Sequence, residues 1–170
     1  MEVLIITGAC GVGKSTIARA WAKRKNGAII DCDYLTEWIY KADFPRWTAE
    51  EEKFVAEIAL LLGQQYLKYD MPLAIENVWS PGGIQILEEG FQKLAQVRTI
   101  KVVWLRCALE ENQRRDQLRK VENRMNERVA IVNQELQAYV WPDYVHCLNS
   151  DQLSVSQTLD VIEGLPAIKI

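Results

Sequence analysis

The chain has 170 residues, 49% of them hydrophobic, and carries 20 Lys and Arg against 23 Asp and Glu, a formal net charge of −3. That length suits one domain with a full-sized core, so residues 1–170 are expected to form a single unit. The acidic balance argues against a general nucleic-acid surface, and no apolar run approaches the roughly 20 residues of a membrane span.

Glu2–Thr7 (EVLIIT) is a short β-branched apolar run that predicts a strand. It leads straight into Gly8 to Ser15 (GACGVGKS), which fits G-x-x-x-x-G-K-[ST] at every fixed position. Glycines at 8, 11 and 13 let the backbone take conformations closed to residues with a Cβ, so successive amides can turn inward on one anion. Lys14 and Ser15 then open a helix whose N-terminal amides and dipole favour negative charge. A glycine-rich turn that binds nothing needs no lysine and hydroxyl at set spacing between a strand and a helix. The stretch is therefore read as a phosphate-binding loop for a nucleoside triphosphate with Mg²⁺. Because strand and loop begin at once, the first residues do not read as a signal peptide, and the cytoplasm is the expected compartment.

Ile17, Ala18, Trp21 and Ala22 recur at helical spacing until Asn26 and Gly27 stop the helix. Ala28–Asp31 reads as a second strand, and strand, helix, strand at this length implies a right-handed crossover and a parallel sheet. Tyr34 to Lys41 predicts a helix, Pro45 a break, and Thr48 with Glu51 a capping box. The long helix that follows runs to about Tyr69, with Phe54, Val55, Ile58, Leu61, Leu62 and Leu67 facing inward. Pro72 to Asn77 is a third strand, Ser80 to Gly83 opens a helix to about Ala95, and Thr99–Arg106 is a fourth strand, apolar through its middle as buried parallel strands are. From Arg106 to Arg128 the pattern is helix, break, helix, and arginines at 106, 114, 115, 119, 124 and 128 concentrate positive charge in an otherwise acidic chain. Helix continues from Val129 to Tyr139, Tyr144 to Leu148 is a fifth strand, and Ser154 with Gln157 is a capping box before a helix to about Glu163. Five strands interleaved with helices predict an α/β doubly wound domain, a three-layer αβα sandwich on a parallel sheet.

Cys10, Cys32, Cys107 and Cys147 are widely spaced, with only His146 as an imidazole partner, so they read as buried thiols of a reducing compartment rather than a zinc site. Cys10 lies inside the phosphate loop, where a chemically accessible thiol is the alternative to the expected role of a small apolar filler.

In an open parallel sheet, ligands bind beyond the carboxyl ends of the strands. Four features fall there: the phosphate loop, Asp31 with Asp33, the stretch from Glu76 to Trp79, and the arginine segment. Phosphoryl transfer asks for an in-line acceptor, metal and positive charge around the migrating group, and exclusion of water. Lys14 is assigned to the β- and γ-phosphates, Ser15 to Mg²⁺, and Asp33 to the acceptor hydroxyl and its proton. Asp31 or Glu76 would hold waters on the metal, and Arg114, Arg115 and Arg119 would close over the triphosphate. Helix capping by Asp31 or Asp33 and solvated pairing of the arginines, such as Glu111 with Arg115, are the structural alternatives.

With these residues placed, the chain resembles the small P-loop kinases of the shikimate, gluconate and nucleoside monophosphate kinase type, including small-molecule phosphotransferases that act on antibiotics. The resemblance rests on GACGVGKS, the D-x-D of Asp31 and Asp33, the strand leading to Glu76, and ENQRRDQLRK after the fourth strand. It implies a sheet order of 2-3-1-4-5, a mobile lid over about 114–128, and an acceptor-binding region over about 34–62. Nucleotide contacts would come from Gly8, Gly11, Val12, Gly13, Lys14, Ser15, Thr16 and Arg114. The fifth strand, ending at Asn149 and Ser150, looks like the loop that borders adenine in such kinases. The third strand ends in Glu-Asn without a glycine-rich shikimate signature, and no arginine follows Asp33 at the spacing a shikimate site would need, Arg46 being the nearest basic candidate after it for acceptor binding besides Lys41; both departures argue against shikimate as acceptor. Trp38, Trp47 and Trp79 lie in or beside the acceptor region and are read either as stacking platforms or as core.

The resemblance implies an ATP-dependent kinase that moves the γ-phosphate to a hydroxyl, or a phosphate, of a small molecule; a monomer or a homodimer is expected. A nucleotide-dependent switch would need D-x-x-G after a strand and N-K-x-D for guanine, and neither occurs. A kinase of nucleic-acid ends would need a basic track outside the lid.

Overall fold

Glu2–Thr7 is apolar on both faces, a condition met only by a strand covered by helices on both sides. In the computed structural model, which describes residues 1–37 and 39–170, this strand (β1) is central. It lies between β3 (Leu73–Glu76) and β4 (Thr99–Arg106), with β2 (Ala28–Asp31) beyond β3 and β5 (Val145–Asn149) beyond β4. The order is the expected 2-3-1-4-5, and all four pairings are parallel. A sixth strand, β6 (Ile168–Lys169), has no counterpart in the sequence reading. It runs antiparallel to Thr99 and Ile100, while β5 takes the same edge of β4 from Val102 to Arg106.

Alternation along β1 sends Val3 and Ile5 to one face and Leu4 and Ile6 to the other. The second face is covered by α1 (Lys14–Arg24), through Ile17, Ala18, Trp21 and Ala22, and by α7 (Val155–Gly164), through Leu159 and Ile162. The first is covered by α3 (Ala49–Lys68) and α4 (Pro81–Gln92), whose Ile84, Leu87 and Phe91 are fully buried. The inward face of α3 differs from expectation. Val55, Ala56, Ala59, Gly63 and Leu67 are buried, whereas Leu61 and Leu62 are exposed. Small residues decide the orientation, because a Cβ on Gly63 would stand 2.7 Å from Leu73 and 2.8 Å from Phe91. The helix approaches the sheet and α4 more closely than leucines would permit.

Local signals held unevenly. Ser154 and Gln157 make both bonds of their capping box. At Thr48 only half is made: the threonine accepts from the Glu51 amide at 3.2 Å, but the Glu51 carboxylate takes the amide of Trp47, one residue upstream. The helix predicted over 34–41 is the short α2 (Asp33–Glu37), and 39–40 are not helical. Trp38 lies outside the described residues. The arginine-bearing segment is α5 (Leu109–Gln117), a 3₁₀ turn over Val121–Asn123, and α6 (Arg128–Ala138). Cys32 and Cys107 are buried as expected, but Cys10 is only partly covered and Cys147 is exposed.

Candidate functional site

The carboxyl ends of β1 to β4 open on one edge of the sheet. Gly8 follows β1 with φ +151°, and a Cβ there would stand 2.4 Å from the Leu105 carbonyl on the neighbouring strand. Gly13, at φ 106°, turns the loop into α1 in a left-handed conformation that glycine alone adopts freely. No side chain caps α1, so its first amides keep their donors for an anion. The Lys14 ammonium folds back over the loop and donates to the Ala9 carbonyl at 3.2 Å.

Three carboxylates stand beside this loop in different states. Parallel register sets Glu76 opposite both Ile6 of β1 and Asp31 of β2. Glu76 is 2% exposed and its Oε1 has no hydrogen-bond partner among the described residues. Burial pushes its carboxyl up to about 7, against the pull of the Lys14 ammonium and the Ser15 hydroxyl, with the negative charges of Asp31 and Asp33 adding to the rise. Asp31 is ion-paired with Arg19 of α1 at 3.0 Å. Asp33 is exposed at the start of α2 and makes no hydrogen bond or ion pair among the described residues. Capping therefore does not occupy it. No group of three or more His, Cys, Asp or Glu is gathered for a metal among the described residues. The Ser15 hydroxyl and the orphaned Glu76 oxygen fit a Mg²⁺ that takes most of its ligands from phosphate and water, whereas Asp31 already answers a guanidinium.

The arginines divide. Arg115 donates to the Val12 carbonyl at 3.1 Å, which puts it on the rim of the phosphate loop, and to Glu111 at 2.7 Å. Arg114 is exposed and bonded to Glu111 at 2.6 and 2.8 Å, and the two guanidiniums hold the Glu111 carboxyl down at about 2. Arg119 bonds the Asn123 carbonyl at 3.3 Å and lies 3.7 Å from Asp116. Asp116 is almost fully buried and accepts from the amides of Met125 and Asn126, which ties the loop after α5 into a closed turn. Arg106 stacks on Trp104 at 4.6 Å beside the exposed Cys147. The loop after β5 is stitched to β4: Ser150 donates to the Arg106 carbonyl at 2.8 and 3.2 Å, and Asn149 accepts from the Asp151 amide at 2.8 Å.

In the region expected to bind the acceptor, Arg46 is committed within its own segment, to the Ile39 carbonyl at 3.0 Å, to Glu51 at 3.5 Å and to the Phe44 ring at 5.0 Å. The guanidinium that crosses to this region from α6 is Arg128, stacked 4.2 Å over the exposed Trp47, with its Nε buried and unpartnered among the described residues. Trp79 is fully buried in the core under α3 and α4, with its backbone exchanging hydrogen bonds with Thr7 Oγ1 at 2.9 Å. Its ring is packed in that core, with Nε1 buried and unpartnered among the described residues. Sequence reasoning missed Thr7, Arg128, and the fully buried Asn112 of α5, which bonds the Cys10 carbonyl. Thr7 carried a signal, a hydroxyl at the end of an apolar strand; Asn112 carried none.

The profile of a family described as AAA domain matches residues 4–136. No curated protein sequence matches the chain. Among solved structures, a sugar kinase from Janibacter sp. HTCC2649 is 17% identical with TM-score 0.67, covering 95% of this chain and 91% of its own. A gluconokinase from Sinorhizobium meliloti 1021 is 14% identical with TM-score 0.62, over 95% and 89%. The Mycobacterium tuberculosis APS kinase CysC, solved with AMPPNP and APS, is 16% identical with TM-score 0.61, over 95% of each chain. At such identities the likeness is one of fold.

Proposed function

The chain belongs to the AAA domain family, and from that premise we propose that it is an ATP-dependent phosphotransferase moving the γ-phosphoryl group to a hydroxyl of a small molecule. The observation that carries this reading is Asp33, an exposed carboxylate with no side-chain partner among the described residues, near enough to Glu76 for its charge to help raise that carboxyl.

In the proposed reaction the loop amides and Lys14 take up the β- and γ-phosphates, the ammonium exchanging the Ala9 carbonyl for phosphate oxygens. Asp33 accepts the acceptor's hydroxyl proton as its oxygen bonds to phosphorus, and the bond from phosphorus to the β–γ bridging oxygen breaks to leave ADP. Arg115, on the rim of the loop, offsets the charge on the migrating group. Mg²⁺, held by Ser15 and by a water on Glu76, would neutralise phosphate oxygens. Arg128 and Trp47 would bound the acceptor. No helix among the described residues is long and apolar enough to cross a membrane.

The test is acceptor-dependent ADP release across sugars, sugar acids, nucleosides, nucleotides, antibiotics and oligonucleotide ends. Asp33→Asn is expected to lower transfer by about 10²–10⁴-fold with ATP affinity unchanged. Full activity in that variant defeats the assignment, and salt-sensitive phosphorylation of oligonucleotide ends alone would replace the small molecule with a nucleic acid.

A further inference from the structure

The first helix of the lid region is bonded to the backbone of the phosphate loop, and the geometry of those bonds fixes where loop amides point. Asn112 and Arg115, three residues apart on one face of α5, donate to the carbonyls of Cys10 and Val12. A trans peptide sets its N–H opposite its C=O. A Cys10 carbonyl turned toward α5 therefore turns the Gly11 amide away from it, and a Val12 carbonyl turned toward Arg115 does the same for the Gly13 amide. Gly11 itself packs against α5: a Cβ there would lie 3.3 Å from the Asn112 carbonyl.

We propose that Asn112 is a positioning residue that aims the Gly11 amide at the nucleotide's phosphates, as Arg115 aims that of Gly13, so that the lid helix presets the anion-binding loop. The inference rests on the nucleotide-binding part of the proposed function.

The orientation of the Asn112 amide is itself set. Its Oδ1 accepts from the thiol of Cys107 at 3.5 Å, which leaves Nδ2 as the group facing Cys10. Burial pushes the Cys107 thiol up to about 11, opposed by Arg115 and helped by Asp151 and Glu111, so it remains a donor at neutral pH. Asn112 is fully buried, and the bond it makes to the partly covered Cys10 is part-buried. Removing its amide takes away the side-chain donor that holds the Cys10 carbonyl and with it the constraint on the peptide plane.

The experiment uses protein labelled with ¹⁵N-glycine and inorganic tripolyphosphate with Mg²⁺ as probe, followed by amide shifts and by calorimetry. In the wild type, Gly11 and Gly13 resonances move on titration. In Asn112→Ala and Asn112→Asp the Gly11 response is expected to collapse while that of Gly13 persists, with affinity falling about tenfold. Cys107→Ala, which frees the amide to flip without removing it, is expected to give the same selective loss at about two- to threefold and covers the case in which an Asn112 variant does not fold. Unchanged affinity and an unchanged ratio of Gly11 to Gly13 response in the variants overturn the inference. So does a lowered thermal midpoint with every glycine shift altered alike, the outcome of a packing role. A wild-type protein that binds neither tripolyphosphate nor ATP defeats the nucleotide reading itself, before any variant is made.

Discussion

The phosphate-loop side and the proposed acceptor side of this molecule are built on different terms. Around the phosphate loop, carbonyls are already bonded: Ala9 to Lys14, Cys10 to Asn112, Val12 to Arg115. Across the site, Tyr34, Tyr40 and Trp47 are 61%, 90% and 72% exposed, and Asp33 has no partner among the described residues. One side is a backbone cradle completed by its own chain. The other is a set of exposed side chains whose partner, in the proposed function, is the acceptor, so its chemistry is left open by the chain alone.

Four substitutions test this contrast. Lys14→Ala strikes the preset side, and transfer is expected to fall by about 10³-fold with weakened triphosphate binding by calorimetry. Retained activity would show that the amides alone suffice. Glu76→Gln probes the boundary in the nucleotide-free protein. The folded state holds the Glu76 proton more tightly than the unfolded chain does, so its ionisation costs stability as pH rises from about 4.5 toward about 7, and the full cost remains above that. A glutamine escapes it: the variant is expected to be more stable at pH 8 by about 3 kcal/mol, the gain shrinking toward pH 5, in urea titrations at both values. A pH-independent difference would place the carboxylate in open solvent.

Arg128→Gln is directed at the open side. It is expected to raise the acceptor KM several-fold, with an ATP KM that does not move, by steady-state kinetics once an acceptor is found. An equal rise in both would tie Arg128 to the nucleotide. The smallest effect is expected from Trp47→Ala, under about 0.5 kcal/mol on stability because the ring is largely in water. Losing more than about 2 kcal/mol in a thermal melt would mean that Trp47 is part of the packed structure.

Legibility followed the same division. Strand bounds at Glu2–Thr7, Ala28–Asp31 and Thr99–Arg106 match the sequence reading, because β-branched runs and the turn residues around them act locally. The loop was readable since its glycines and lysine serve the backbone geometry that makes it work. The buried face of α3 was not, because Gly63 against Phe91 matters only once α3 and α4 meet. Arg46 stood at a plausible distance along the chain from Asp33, yet it is held locally, while Arg128 reaches Trp47 from 81 positions away through the fold. β6 has two residues, below any periodic signal.

The uneven covering of the cysteines carries a practical consequence. Cys147 is the one exposed thiol among the described residues, on the strand that leads to Asn149 and Ser150 and beside the Arg106–Trp104 stack. A maleimide dye should attach there first, leaving the loop thiol for slower chemistry. Its emission would then give a running record of movement at that corner with no residue substituted.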